Sequence, residues 1–193
     1  TTTDITIKFS RDNVEDAHIV DVDSDGYNDL IIGSWTENHL NGVNISEVPQ
    51  YPPTIYYGVE GGISTTGSAL PIPEQWSGYD TTTFASVAGD IDRDGDIDLV
   101  LAHTNDGSVV DENGKFYTEW KAPELGISNT PVATYRFIQV LLNNGDRTFT
   151  DISDQLYGSG NNEVKPVYDL DLVDIDQDGY LDIYSSGVVP IGS

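Results

Sequence analysis

The chain has 193 residues, with 33 acids against eight bases and a formal net charge of −25. That balance argues against nucleic acid as a partner, since no basic stripe is available for phosphates, and against electrostatic anchoring on anionic lipid. Disorder is excluded too, because 37% hydrophobic residues, with eleven Tyr, five Phe and three Trp, supply core material.

The acids are 24 Asp and only 9 Glu, an excess that suits turns and oxygen-ligand metal loops. No apolar run approaches the roughly 20 residues of a membrane helix, so no membrane insertion is expected. Cysteine is absent, which excludes a disulfide framework. The opening TTTDIT carries neither an initiator Met nor a charged leader, so any signal peptide is expected to have been removed.

In chain order, a lone strand is predicted at Ile5–Phe9, followed by three units built on one pattern. Each unit reads apolar stretch, Asp-x-Asp-x-Asp-Gly-x-x-Asp, apolar stretch, with the first Asp at 21, 90 and 174. The flanks are Ala17–Val20 and Leu30–Ile32, Phe84–Ala88 and Leu99–Ala102, then Val167–Val173 and Ile183–Tyr184. They are short and rich in Val, Ile and Tyr, which favours strands.

Unit two continues with strands at Phe137–Leu142 and Thr148–Ile152 about an Asn-Gly turn at Asn144-Gly145. Unit one follows the plan more loosely, with Thr54–Tyr57 as third strand, Gly61-Gly62 as turn and no clear fourth strand. Insertions fill Ser34–Pro53 and His103–Tyr135, the second holding a hairpin over Val109–Tyr117 and one helical turn at Ala122–Ile127. Gly67–Thr83 links unit one to unit two. The chain is therefore read as one all-β repeat region over 1–193, with units at about 14–70, 81–153 and, in part, 166–193.

The acidic spacing has a physical logic. Carboxylates at positions 1, 3 and 5 converge when the backbone curls around a point, Gly at 6 permits the turn, position 7 offers a carbonyl, and position 9 closes the shell. Hard oxygen ligands in that number suit Ca²⁺ better than Mg²⁺. The candidate sets are Asp21, Asp23, Asp25, the Tyr27 carbonyl and Asp29; Asp90, Asp92, Asp94, the Asp96 carbonyl and Asp98; and Asp174, Asp176, Asp178, the Tyr180 carbonyl and Asp182. Up to three Ca²⁺ are expected. An EF-hand needs Glu at position 12 and flanking helices, whereas Ile32, Leu101 and Ser185 stand there between strands.

With these loops and the Leu141–Phe149 segment, the chain resembles the FG-GAP family (VCBS-type, integrin alpha-like) of calcium-binding repeats. The resemblance covers most of units one and two and about half of unit three. It implies β-propeller blades, each a four-stranded antiparallel sheet with the calcium loop joining its first two strands. Two and a half blades do not close a ring, so the chain is expected to be a piece of a longer propeller or to be completed by association.

Strand direction puts the insertions and the inter-unit link at the rim opposite the acidic loops. Trp35, Trp76 and Trp120 fall there with His103, and suit glycan stacking or protein contact, or else simply anchor the insertions. Asn44-Ile-Ser46 is an N-glycosylation sequon, consistent with an exposed extracellular loop. No catalytic residues stand out: there is no thiol, no metal spacing among His18, His39 and His103, and no nucleophile or phosphate motif. The leading expectation is an extracellular calcium-binding module for adhesion or recognition of glycan or protein. The alternatives are a self-assembling surface or filament protein and the propeller domain of a polysaccharide-acting enzyme.

Overall fold

The computed structural model describes residues 16–33, 35–36, 42–44, 50–72, 82–104, 108–111, 113, 115–118, 121–127, 136–157, 167 and 169–186. Two four-stranded antiparallel sheets carry most of them. The first contains Ala17–Val20, Asp29–Ile32, Thr54–Tyr56 and Ser68–Ala69, neighbouring one another in that order. The second contains Thr82–Gly89, Asp98–Thr104, Arg136–Asn143 and Phe149–Asp151, again in chain order. A third sheet pairs Asp169–Val173 with Asp182–Ser186. The all-β expectation is met, and a strand stands on each side of every acidic loop.

The hydrophobic pattern explains how the sheets stack. Side chains alternate between the faces of a strand, so a continuous apolar run fits a strand covered on both sides. Leu99-Val100-Leu101-Ala102 is such a run, and all four residues are fully buried. Leu99 and Leu101 join Val22, Ile31, Ile55, Tyr57, Leu70 and Leu141 between the first and second sheets. Val100 and Ala102 join Val140, Val167 and Leu170 between the second and third. In the third sheet Asp169-Leu170-Asp171-Leu172 alternates: the leucines pack on the second sheet and the aspartates face outward. Ile19 in the first sheet and Tyr184 in the third are exposed. Among the described residues the sheets form an open stack and no closed ring.

Backbone approach fixes the stack. A Cβ at Gly33 would lie 2.7 Å from the Thr83 Cβ, where the first sheet meets the second. A Cβ at Gly89 would meet Leu181 and Leu172 of the third sheet at 2.9 and 3.0 Å.

Several boundaries differ from expectation. The fourth strand of the first sheet is Ser68–Ala69, inside the segment read as a link. Its two small residues carry no alternation, and its place comes from pairing with Thr54–Ile55. Ser153–Tyr157 forms a short helix after the second sheet; Ser153 Oγ accepts the Val140 N–H at 3.0 Å. The hairpin of unit two is present, Ser108–Val110 against Lys115–Thr118, and Lys115–Phe116 also pairs with Val43–Asn44 of unit one. The two insertions thus share one small sheet. The expected helical turn is Lys121–Glu124, while Ile5–Phe9 lies outside the described residues.

Truncating either face of the central strand should be costly. Leu101→Ala is expected to lose about 2–5 kcal/mol in urea denaturation, whereas Ile19→Ala, on an exposed face, should stay within about 0.5 kcal/mol.

Candidate metal centres

The three acidic loops have one backbone shape. Position 4 takes the left-handed region in each, at Ser24 (φ 57°), Arg93 (67°) and Gln177 (62°). Position 6 is glycine at φ 91°, 100° and 90° in Gly26, Gly95 and Gly179, a region that costs other residues energy. This double reversal turns successive N–H groups toward the carboxylates. The N–H of position 6 donates to the first Asp: Gly26 to Asp21 at 2.9 Å, Gly95 to Asp90 at 3.2 Å and Gly179 to Asp174 at 2.9 Å. The N–H of position 7 donates to position 5: Tyr27 to Asp25 at 2.9 Å, Asp96 to Asp94 at 2.9 Å and Tyr180 to Asp178 at 2.8 Å.

Position 9 closes each loop. Asp29 accepts the Val22 N–H at 2.8 Å, Asp98 the Ile91 N–H at 2.7 Å and Asp182 the Ile175 N–H at 2.9 Å. In the first two units the other carboxylate oxygen reaches the end of the third strand. Asp29 Oδ1 accepts the Gly58 N–H at 2.7 Å, and Asp98 Oδ1 accepts the Asn143 N–H at 2.9 Å. Both aspartates are fully buried, whereas Asp182 is exposed. Burial pushes the Asp29 and Asp98 carboxyls above the usual range, the backbone N–H groups pull them back, and nearby acids push up again: Asp23 and Asp21 on Asp29, Asp92 on Asp98.

Carboxylate oxygens converge within 4.8 Å in three groups: Asp21, Asp23 and Asp29; Asp90, Asp92 and Asp94; Asp174, Asp176 and Asp182. Each group could hold a metal ion. Of the expected carboxylate ligands, Asp25, Asp98 and Asp178 stand outside these groups. Two converging oxygens are buried without a hydrogen-bond donor, Asp23 Oδ2 and Asp90 Oδ1. A buried, donorless carboxylate oxygen is costly, and a hard cation is a partner that fits it. Asp23 Oδ2 does have an ionic neighbour, Arg147 Nη2 at 2.5 Å.

Sequence reasoning missed Asn143 and Arg147, both read as part of an ordinary turn. The buried Asn143 side chain donates to the Val22 carbonyl at 2.8 Å and the Ile97 carbonyl at 3.1 Å, tying the first loop to the second sheet. A buried, bridging Asn has the same sequence signature as a turn Asn, so no signal marked it.

The opposite rim is only partly described. Trp76 and Trp120 lie outside the described residues. Trp35 is in a short strand, Trp35–Thr36, paired with Gln50–Tyr51, and Asn44 is in the strand paired with Lys115. His103, expected at the rim for ligand contact, is instead buried at 2% exposure. It faces the first sheet as the next inward residue after Leu99 and Leu101. Its Nε2 meets Gln139 Oε1 at 2.9 Å and its Nδ1 meets Thr83 Oγ1 at 3.1 Å. Gln139 Nε2 donates to the Pro71 carbonyl at 3.0 Å and Asp151 Oδ2 at 2.8 Å. That fixes Gln139 Oε1 as acceptor, so the His103 proton sits on Nε2 and Nδ1 accepts from Thr83. His103 is a packed core residue.

No family model, curated protein or solved structure matches the chain. The reading of the loops therefore rests on their own geometry.

Burial lowers the His103 pKa from 6.5 to about 4. The unfolded chain therefore takes up this proton first, and stability is lost as pH falls from 6.5 towards 4, by about 3 kcal/mol for this residue. His103→Gln should flatten that part of the stability–pH profile by urea denaturation. In excess chelator, Asp29→Ala, which strands two buried N–H groups, should cost about 1–3 kcal/mol more than Asp182→Ala.

Proposed function

We propose that the chain is an extracellular calcium-binding repeat module. Its sheets are blades of an FG-GAP-like propeller, its calcium is structural, and it recognises a glycan or protein ligand at the rim opposite the loops. The observation that carries the calcium reading is the convergence of three carboxylates in each of three loops, with a donorless buried oxygen at Asp90. Asp21, Asp23 and Asp29, Asp90, Asp92 and Asp94, and Asp174, Asp176 and Asp182 would supply those oxygens. The position-7 carbonyls of Tyr27, Asp96 and Tyr180 would complete the shells. An oxygen-rich, flexible site of this charge selects Ca²⁺ over the smaller, tightly hydrated Mg²⁺. Such weakly buried loops suit the high calcium outside cells, which supports an extracellular setting.

The blade reading is supported by two antiparallel four-stranded sheets in chain order, stacked face to face, each with its acidic loop between strands one and two. The recognition reading is supported by the shared sheet of the two insertions, which builds a surface from both units away from the metal loops. A second reading, self-association, is favoured by Val173, Ile175 and Tyr184, each exposed on the third unit.

Calcium at 100 times its dissociation constant should stabilise the fold by about 2.7 kcal/mol per site. The expected result is a melting temperature several degrees higher in calcium than in chelator, with little gain from magnesium. A melting temperature indifferent to chelator would overturn the calcium reading. Glycan-array binding with no turnover would separate recognition from catalysis, and mass measurement with and without calcium reads self-association directly.

A further inference from the structure

The three loops share a backbone but not an electrostatic setting. Arg147, on the turn between the third and fourth strands of the second sheet, reaches across to the first loop. Its Nη2 lies 2.5 Å from Asp23 Oδ2 and 3.4 Å from Asp25 Oδ2. Its guanidinium carbon sits 4.3 Å from the centroid of the Tyr57 ring, and the Tyr57 hydroxyl donates to the Arg147 carbonyl at 3.5 Å. Tyr57 is itself buried between the first two sheets. The cation is thus held by a fixed ring on its face and by two carboxylates at its edge.

The other two loops differ. Asp90 Oδ1 is buried without a donor, and among the described residues no Lys or Arg pairs with the second or third acidic group. Arg93, the second loop's own cation, turns away to stack at 4.9 Å on the Tyr180 ring of the third loop. Among the described residues the first loop alone has an ion pair on its carboxylates, the Arg93 guanidinium lying against Gly179 and Tyr180 of the third loop without pairing to its acids.

We propose that Arg147 is a built-in counter-ion of the first loop, competing with a divalent cation for Asp23. The inference rests on the calcium reading above. Asp23 Oδ2 belongs to the group Asp21, Asp23 and Asp29, so an ion there and Nη2 at 2.5 Å would share one oxygen and repel each other. Loading requires Nη2 to withdraw from Asp23, while its stack on Tyr57 can persist. The first loop therefore fills last and stays ordered when calcium is scarce. Beyond its apolar core, the joint between the first and second sheets is then supported by protein charge, and that between the second and third by metal.

Calcium titration of the full chain by calorimetry tests this. Two tighter sites and one weaker site are expected, and Asp21→Asn should delete the weaker one, assigning it to the first loop. Arg147→Met keeps an aliphatic stack on Tyr57 but removes the charge. It should tighten the weaker site about 1.5- to fivefold, the range of a half-exposed ion pair, and lower the melting temperature in excess chelator. Arg147→Lys retains the charge and should leave the weaker site near its original affinity. Circular dichroism checks that each variant is folded, and Arg147→Gln serves if the Met variant is not. Calcium binding with all affinities unchanged in the charge-removing variant, or an equal gain with Lys, overturns the competition and leaves the calcium reading standing. No calcium uptake by either protein overturns both.

Discussion

The fold has to hold converging carboxylates in place against their own repulsion. At each loop this falls first to backbone N–H groups. Two left-handed residues, at positions 4 and 6, aim successive amides at the acids, and the same position-6 and position-7 hydrogen bonds recur in all three copies. Hydrogen bonds to a charged acceptor are stronger than neutral ones, yet they only partly offset burial. The Asp29 and Asp98 carboxyls remain raised despite their backbone donors. The loops are therefore organised in advance, and incompletely neutralised.

The same loops are joints between sheets. Position 2 of each loop projects where the next sheet packs: Val22 is 1% exposed between the first and second sheets, and Ile91 packs against the core between the second and third. Ile175, with no described sheet beyond it, is 61% exposed. Position 9 follows the same course, from buried Asp29 and Asp98 to exposed Asp182. On the calcium reading, metal affinity and sheet stacking are coupled in the first two units. An ion bound at either loop would act on residues that also bear the next sheet, so its binding energy would add to folding energy.

Much of this was legible in the sequence, because the determining signals are local. The acidic spacing specifies a curled loop, glycine at position 6 its reversal, and Leu99–Ala102 a strand covered on both faces. The hairpin of Ser108–Val110 and Lys115–Thr118 is equally local. What was not legible depends on partners distant in sequence. Ser68–Ala69 is a strand only because Thr54–Ile55 is beside it. His103 follows an apolar strand toward the insertion, and only the Thr83 and Gln139 side chains, placed by strand pairing, show that it is enclosed. Arg147 meets a loop 122 residues away from it at Asp25, a separation no spacing rule spans.

This division bears on how the two rims relate. The strands Asp29–Ile32 and Asp98–Thr104 run from the acidic loops toward the insertions. There Val43–Asn44 of unit one pairs with Lys115–Phe116 of unit two. That pairing spans two sheets, so its register depends on how they are placed against each other. Their placement is set in the core by Leu99, Leu101 and Ile31, and at the loop end by Asn143 on Val22 and Arg147 on Asp23. A change in charge at the first loop would therefore, on the proposed reading, act on the sheet pair that carries the shared insertion sheet. On the proposed reading, Arg147 keeps that surface assembled across a range of calcium concentrations, while the third sheet, whose described loop residues have no such counter-ion, responds to the ion directly.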